Sequence, residues 1–220
     1  MSIRTTEVEV VADGVRLPAY LNLPPQPSGL VIFVHGSGSS RFSSRNRFVA
    51  DVLSAAGLAT LLFDLLTADE GRVDAHTAQY RFDIPLLVAR TTGTLDWARR
   101  ELGVARPGLF GASTGAAAAL GAAAQRPAEV GAVVSRGGRP DLALPVLDRV
   151  RAPTLFIVGA LDSQVLELNR QAAAAMTAPH ELVVVPGATH LFEEPGTLEQ
   201  VAALARDWFL EYLPQQEANP

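Results

Sequence analysis

Short, almost wholly apolar runs alternate along this chain with longer stretches of helical character. Leu30-Val31-Ile32-Phe33-Val34, entered through Gly29, reads as a strand covered on both faces, and residues 58–63, 130–135, 154–158 and 180–185 read the same way. Between these runs the period lengthens. Helices are predicted at about 45–56, closed by Gly57, at 83–101 with Pro85 in its first turn, at 116–124, at 163–176 and near 198–212. A short helix is expected around 140–147. The opening differs: residues 7–11 and 15–23 are β-rich and alternate about Asp13-Gly14, which predicts an antiparallel hairpin. Residues 65–81 carry no clear period and read as a long, mixed connection.

Strands alternating with helices after an opening hairpin imply an α/β fold: a doubly wound, mostly parallel sheet with an N-terminal antiparallel hairpin. No linker or repeat interrupts the pattern, so residues 1–220 are expected to form a single domain. No insertion is long enough for a large cap domain; 65–81 or 136–150 could form a small flap at most.

Composition narrows the function classes. Nearly half the residues are hydrophobic, 48%, which argues against disorder, and the net charge of −5 argues against a nucleic-acid partner. Every cation is arginine, a preference read as bias toward an always-charged group rather than as function. There is no cysteine, hence no disulfide, thiolate nucleophile or Cys-based metal site. Met1-Ser2-Ile3-Arg4-Thr5-Thr6-Glu7 has no apolar core of a secretion signal, and no run approaches the ~18 apolar residues of a membrane span. A cytoplasmic protein with no membrane partner is the expectation.

The chemistry concentrates at Gly111-Ala112-Ser113-Thr114-Gly115, which stands between the apolar Gly108-Leu109-Phe110 and the alanine-rich run after it. Strand, sharp turn and helix with serine at the apex make a nucleophile elbow, its glycines permitting the cramped turn. A serine hydroxyl needs a base, and the base an orienting acid. His190 follows the strand-like Leu182-Val183-Val184-Val185, and Asp162 follows Thr154-Leu155-Phe156-Ile157-Val158. The three groups fall at the carboxyl ends of three consecutive core strands, the edge where open α/β sheets build their sites. Each has a plainer reading: Ser113 as a helix N-cap, His190 as a loop histidine, Asp162 as a residue opening a helix. Asp141 and Asp148 are rival acids.

Four segments, Val34-His35-Gly36-Ser37-Gly38, Gly111-Ala112-Ser113-Thr114-Gly115, Gly159-Ala160-Leu161-Asp162 and Gly187-Ala188-Thr189-His190, together resemble the α/β-hydrolase superfamily. Within it the chain is similar to the small dienelactone-hydrolase-like proteins, from residues 30–34 to the final helix. The resemblance implies the α/β-hydrolase fold, with Ser113 as nucleophile, His190 as base and Asp162 as acid. It implies an oxyanion hole from the backbone N–H groups of Thr114 and Ser37, with Gly36 and Gly38 letting backbone approach a substrate. The implied activity is cleavage of small carboxylic esters, thioesters or lactones through an acyl-enzyme. Dienelactone hydrolases carry cysteine at the elbow; the serine here leaves ester hydrolysis rather than lactone specificity as the implied chemistry. Transfer of the acyl group to another acceptor, and a catalytically silent binding module, are the competing functions.

Other residues receive plainer roles. His35 is expected to brace the oxyanion loop, His76 to lie in a polar loop and His180 to begin a strand. No histidine spacing suits a metal. Gly36-Ser37-Gly38 lacks the third glycine of a dinucleotide loop, Arg41 standing in its place, and there is no G-K-[ST] phosphate loop, so no cofactor is expected. Arg41 or Arg136 could grip a substrate carboxylate or phosphate; the alternative is a surface arginine or helix-charge partner, as for Arg45, Arg47 and Arg139. The expected partner is a small-molecule ester, with the protein a monomer or homodimer.

Overall fold

A computed structural model describes residues 2–213. Strands β1 (Arg4–Ala12) and β2 (Val15–Leu23) form the expected hairpin, with Asp13 and Gly14 both at positive φ in its turn. The chain continues through β3 (Leu30–Val34), α1 (Ser44–Ala55), β4 (Ala59–Phe63), α2 (Ala68–Thr77), α3 (Ile84–Leu102), β5 (Gly108–Ala112) and α4 (Thr114–Gln125). Then follow β6 (Ala132–Arg136), a 3₁₀ helix (Pro140–Arg149), β7 (Thr154–Gly159), α5 (Ser163–Ala175), β8 (His180–Val185) and α6 (Thr197–Tyr212).

All eight strands form one sheet in the order β1-β2-β4-β3-β5-β6-β7-β8, antiparallel in the hairpin and where β2 meets β4, parallel elsewhere. The fold is that of an α/β hydrolase. Ser113, Asp162 and His190 follow β5, β7 and β8, so the strands that carry them are not consecutive: β6 lies between the first two.

Strand alternation divides the core between the two faces. Ile32, Leu109 and Val133 point toward α3, α4 and α5; Phe33, Phe110 and Val134 point toward α1 and α6. Helix α4 is buried nearly all round, which its alanines and glycines permit by letting neighbouring elements approach closely. On the other face Phe33 and Phe110 pack with ring centroids 4.8 Å apart and planes tilted by 32°, a contact worth about 1 kcal/mol beyond its buried area.

Two expectations change. The 65–81 connection contains helix α2, opened by a capping box in which Thr67 Oγ accepts from Glu70 N–H and Glu70 accepts from Thr67 N–H. His76 accordingly sits in the last turn of a helix rather than in a loop. The segment after β6 winds as a 3₁₀ helix because Pro140 and Pro145 deny it the donors of an α-helical ladder. Arg90, 3% exposed, ties α2 down: it reaches Glu70 at 2.8 Å and Asp13 of the hairpin turn at 3.3 Å. Among the described residues no helix is long and apolar enough to cross a membrane.

Candidate active site

Ser113 joins β5 to α4 with φ 52° and ψ −121°, a conformation that costs a non-glycine residue about 1–3 kcal/mol and must be imposed by its surroundings. The two flanking glycines are part of that imposition. A Cβ on Gly111 would lie 2.4 Å from Ala116 Cα, and one on Gly115 2.1 Å from the Val34 carbonyl oxygen. Backbone bonds complete it: Ser113 N–H donates to Arg136 C=O at 3.2 Å, and Arg139 N–H donates to Ser113 C=O at 3.0 Å. Ser113 occupies the N-cap position of α4, yet its hydroxyl makes no capping bond and stays free.

His190 hangs from the loop after β8, and its Nδ1 lies 2.6 Å from Asp162 Oδ2. With Nδ1–H donating to the carboxylate, Nε2 carries the lone pair of a base. The two loops are stitched together by main chain, Ala160 N–H to Val185 C=O at 2.9 Å and Leu161 N–H to Ala188 C=O at 3.0 Å. Gly159 makes this approach possible, since a Cβ there would stand 2.3 Å from the Ala188 carbonyl oxygen. Farther along the loop, Glu194 accepts from Thr189 N–H and Oγ, and Phe192 is buried at φ 55°. Asp162 sits at the N-cap of α5 without capping it; its side chain is given to His190. The rival Asp141 is held bidentate by Arg139 at 2.8 Å, and Asp148 lies at the far end of the 3₁₀ segment.

Ser113 and His190 make no direct hydrogen bond in this structure, but Arg136 and Gly137 lie against both of them. Arg136 C=O holds the Ser113 amide, and a Cβ on the adjoining Gly137 would lie 3.5 Å from His190 Nδ1. Catalytic hydrogen bonds are commonly long without substrate and tighten in the complex.

The loop after β3 presses on the nucleophile from the other side: a Cβ on Gly36 would stand 3.2 Å from Ser113 Cβ. Among the described residues, neither the Ser37 N–H nor the Thr114 N–H has a protein acceptor. Both residues line a pocket of about 480 Å³, together with Gly36, Gly38 and Arg41. His35 braces this loop, as expected. Its Nδ1–H donates to Gly36 C=O at 2.9 Å, and its Nε2 accepts from Leu65 N–H at 3.0 Å. Burial pushes its pKa below the ordinary value of 6.5, so the ring is held neutral, the form that can make both bonds.

The two candidate arginines differ. Arg41 lines the pocket but is engaged: its side chain pairs with Asp64 Oδ2, its backbone N–H donates to Asp64 Oδ1 at 2.7 Å, and its guanidinium lies 4.2 Å from the Phe42 ring centroid. Arg136 is buried on the α1 and α6 face, on the opposite side of the sheet from the pocket. Sequence reasoning missed Arg81, which also lines the pocket. Asp74 fixes its Nε at 2.7 Å, and its Nη1 faces the Gly38 loop. The readable signal was the Thr67-to-Glu70 capping box, which places a helix, and hence its C-terminal neighbours, over this pocket.

The sequence profile of the dienelactone hydrolase family matches residues 17–213. The chain belongs to the dienelactone hydrolase family. A crystal structure of a dienelactone hydrolase from Anabaena variabilis superposes with a TM-score of 0.95 and 51% identity, over 97% of this chain and 100% of that one. Est1E from Butyrivibrio proteoclasticus shares the fold, with a TM-score of 0.79 at 19% identity over 93% and 98% of the two chains. A Mycobacterium tuberculosis H37Rv protein named as a putative phosphoribosyl transferase is 56% identical over 213 residues, which are 96% of this chain and 47% of that protein. The chain thus spans about half the length of that relative, whose name covers a protein twice as long.

Proposed function

We propose that this chain hydrolyses small carboxylic esters or thioesters through an acyl-enzyme on Ser113. Ser113 Oγ attacks the acyl carbonyl while His190 Nε2 takes the hydroxyl proton. The resulting tetrahedral oxyanion accepts from the Ser37 and Thr114 N–H groups. His190 returns the proton to the departing alcohol or thiol, and a water repeats the sequence to release the acid. Asp162 keeps the ring oriented and stabilises the imidazolium without becoming protonated.

The observation that carries this reading is the 2.6 Å His190–Asp162 contact beside a serine held at φ 52°. Membership of the dienelactone hydrolase family supports it. The pocket of about 480 Å³ beside Ser37 and Thr114 suits a small acyl group, since ligand pockets usually measure about 300–1,000 Å³. No step calls on a cofactor.

A fluorophosphonate probe read by mass spectrometry tests the assignment. An adduct on Ser113, absent in Ser113→Ala, is expected, along with loss of p-nitrophenyl acetate hydrolysis in that variant. An unlabelled wild type, or a variant hydrolysing at the wild-type rate, sinks it. Adding an alcohol to the assay and analysing products separates hydrolysis from acyl transfer.

A further inference from the structure

Arg136 is an unusual place for a positive charge. It ends β6, its backbone carbonyl holds the Ser113 amide, and it is 7% exposed. Among the described residues no carboxylate pairs with it: its one contact is from Nη2 to Asn46 Oδ1, at 3.5 Å, and its Nε has no partner. A buried charge without a counter-charge is costly, and a second cation makes matters worse. Arg45 supplies that second cation, also with a buried, unpartnered Nε. Burial and the neighbouring Arg45 charge lower the Arg136 pKa to about 10, still far above neutrality, so its guanidinium stays charged.

The same point is the start of α1. Asn46, which Arg136 touches, is in its first turn, where its N–H donates to the capping Ser43 Oγ at 3.3 Å; that turn carries no acidic residue, and the N–H groups of Ser44 and Arg45 have no acceptor among the described residues. A helix N-terminus favours negative charge through its free N–H groups and its dipole. The acid that does reach the cluster is Glu193, 3.2 Å from Arg45 Nη1, and its side chain is 63% exposed, so water and salt weaken the pair. Neighbouring Glu194 is turned onto Thr189.

We propose that Arg136, Arg45 and the free N–H groups of Ser44 and Arg45 at the start of α1 form a site for a small oxyanion, a carboxylate or phosphate group. It lies on the α1 and α6 face of the sheet edge that carries Ser113, on the other side of the sheet from the pocket under α2. The anion supplies the missing counter-charge and the acceptors that both Nε atoms lack. Its source is either an anionic group of the molecule held at Ser113 or a free anion. The site does not depend on Ser113 being a nucleophile, because occupancy is read by binding.

Inorganic phosphate is the probe. Titrated into the whole chain against sodium chloride at matched ionic strength, it should raise Tm saturably, in wild type and in Ser113→Ala alike. Arg45→Gln should weaken the midpoint at least tenfold, and Arg136→Gln, where it folds, should abolish the response. Phosphate that raises KM for p-nitrophenyl acetate with kcat unchanged, and a tenfold loss in Arg45→Gln confined to esters bearing an anionic group, identify the source as substrate. Thermal stabilisation with KM unmoved identifies a free anion. A response no larger than that to chloride, or one equally strong in Arg45→Gln, overturns the proposal.

Discussion

His190 Nδ1 and Asp162 Oδ2 stand 2.6 Å apart, although 28 residues separate them along the chain. That contact fixes which ring nitrogen faces outward, and it distinguishes Asp162 from the two other acids the sequence offers. Asp162→Asn should lower kcat for an activated ester by about 10⁴-fold, through the wrong tautomer rather than through lost structure. Asp141→Asn and Asp148→Asn should stay within a few-fold of wild type. Steady-state kinetics of the three variants, with Tm as a control, make the comparison.

Ser113 is strained, and relief of strain is measurable separately from activity. Ser113→Gly accepts φ 52° without penalty, so urea unfolding should show a gain of about 1 kcal/mol or more over Ser113→Ala. Both should lack esterase activity, a loss on the order of 10⁶-fold in kcat if Ser113 is the nucleophile.

Gly159→Ala should harm activity more than its size suggests. The new methyl would meet the Ala188 carbonyl oxygen at 2.3 Å and force the acid loop away from the histidine loop. Displacement of reacting groups by about 1 Å costs on the order of 10²-fold. A kcat within a few-fold of wild type would show that the two loops separate without consequence.

His35 gives the fold a pH dependence with a defined sign. Its folded pKa is lowered, so between that value and 6.5 the unfolded chain binds the proton that the native chain refuses. The contribution of His35 is therefore complete above about 6.5 and is lost progressively as the pH falls toward the lower folded value. The slope is at most about 1.4 kcal/mol per pH unit. Urea midpoints between pH 5 and 8 should show this fall in wild type, and His35→Asn should flatten it.

Arg90 anchors α2 over the pocket through Glu70. Arg90→Met should cost about 2 kcal/mol, since a charged hydrogen bond is lost and Glu70 is left half-satisfied. Hydrogen exchange should rise first in residues 68–77. Equal exchange across α2 in variant and wild type would show that the tie is idle.

Most of the architecture was legible because its strands are Val-, Ile-, Leu- and Phe-rich runs that only a doubly covered sheet explains. The elbow, His190 and Asp162 were legible because their neighbours are glycines at strand ends. Helix α2 escaped because its stability does not come from an apolar stripe: its one large apolar residue, Val73, is exposed, and its buried residue is Asp74. Tertiary ties through Arg90 and a capping box replace the missing stripe. Arg81 was hidden with it, since its place in the pocket depends on Asp74. The burial of Arg136 was invisible for a different reason: charge patterning assigns arginine to the surface, and only the fold reveals that no carboxylate among the described residues pairs with it.

Strand β8 is the outermost member of the sheet, paired with β7 alone, and His190 is suspended from its end. Marginal strands fray at lower free energy than central ones. The histidine therefore rides on a part of the molecule that yields early, while Ser113 is rooted in the middle, between β3 and β6. Warming or mild urea should extinguish turnover while the far-ultraviolet signal is still intact, so inactivation and unfolding become two events with two midpoints.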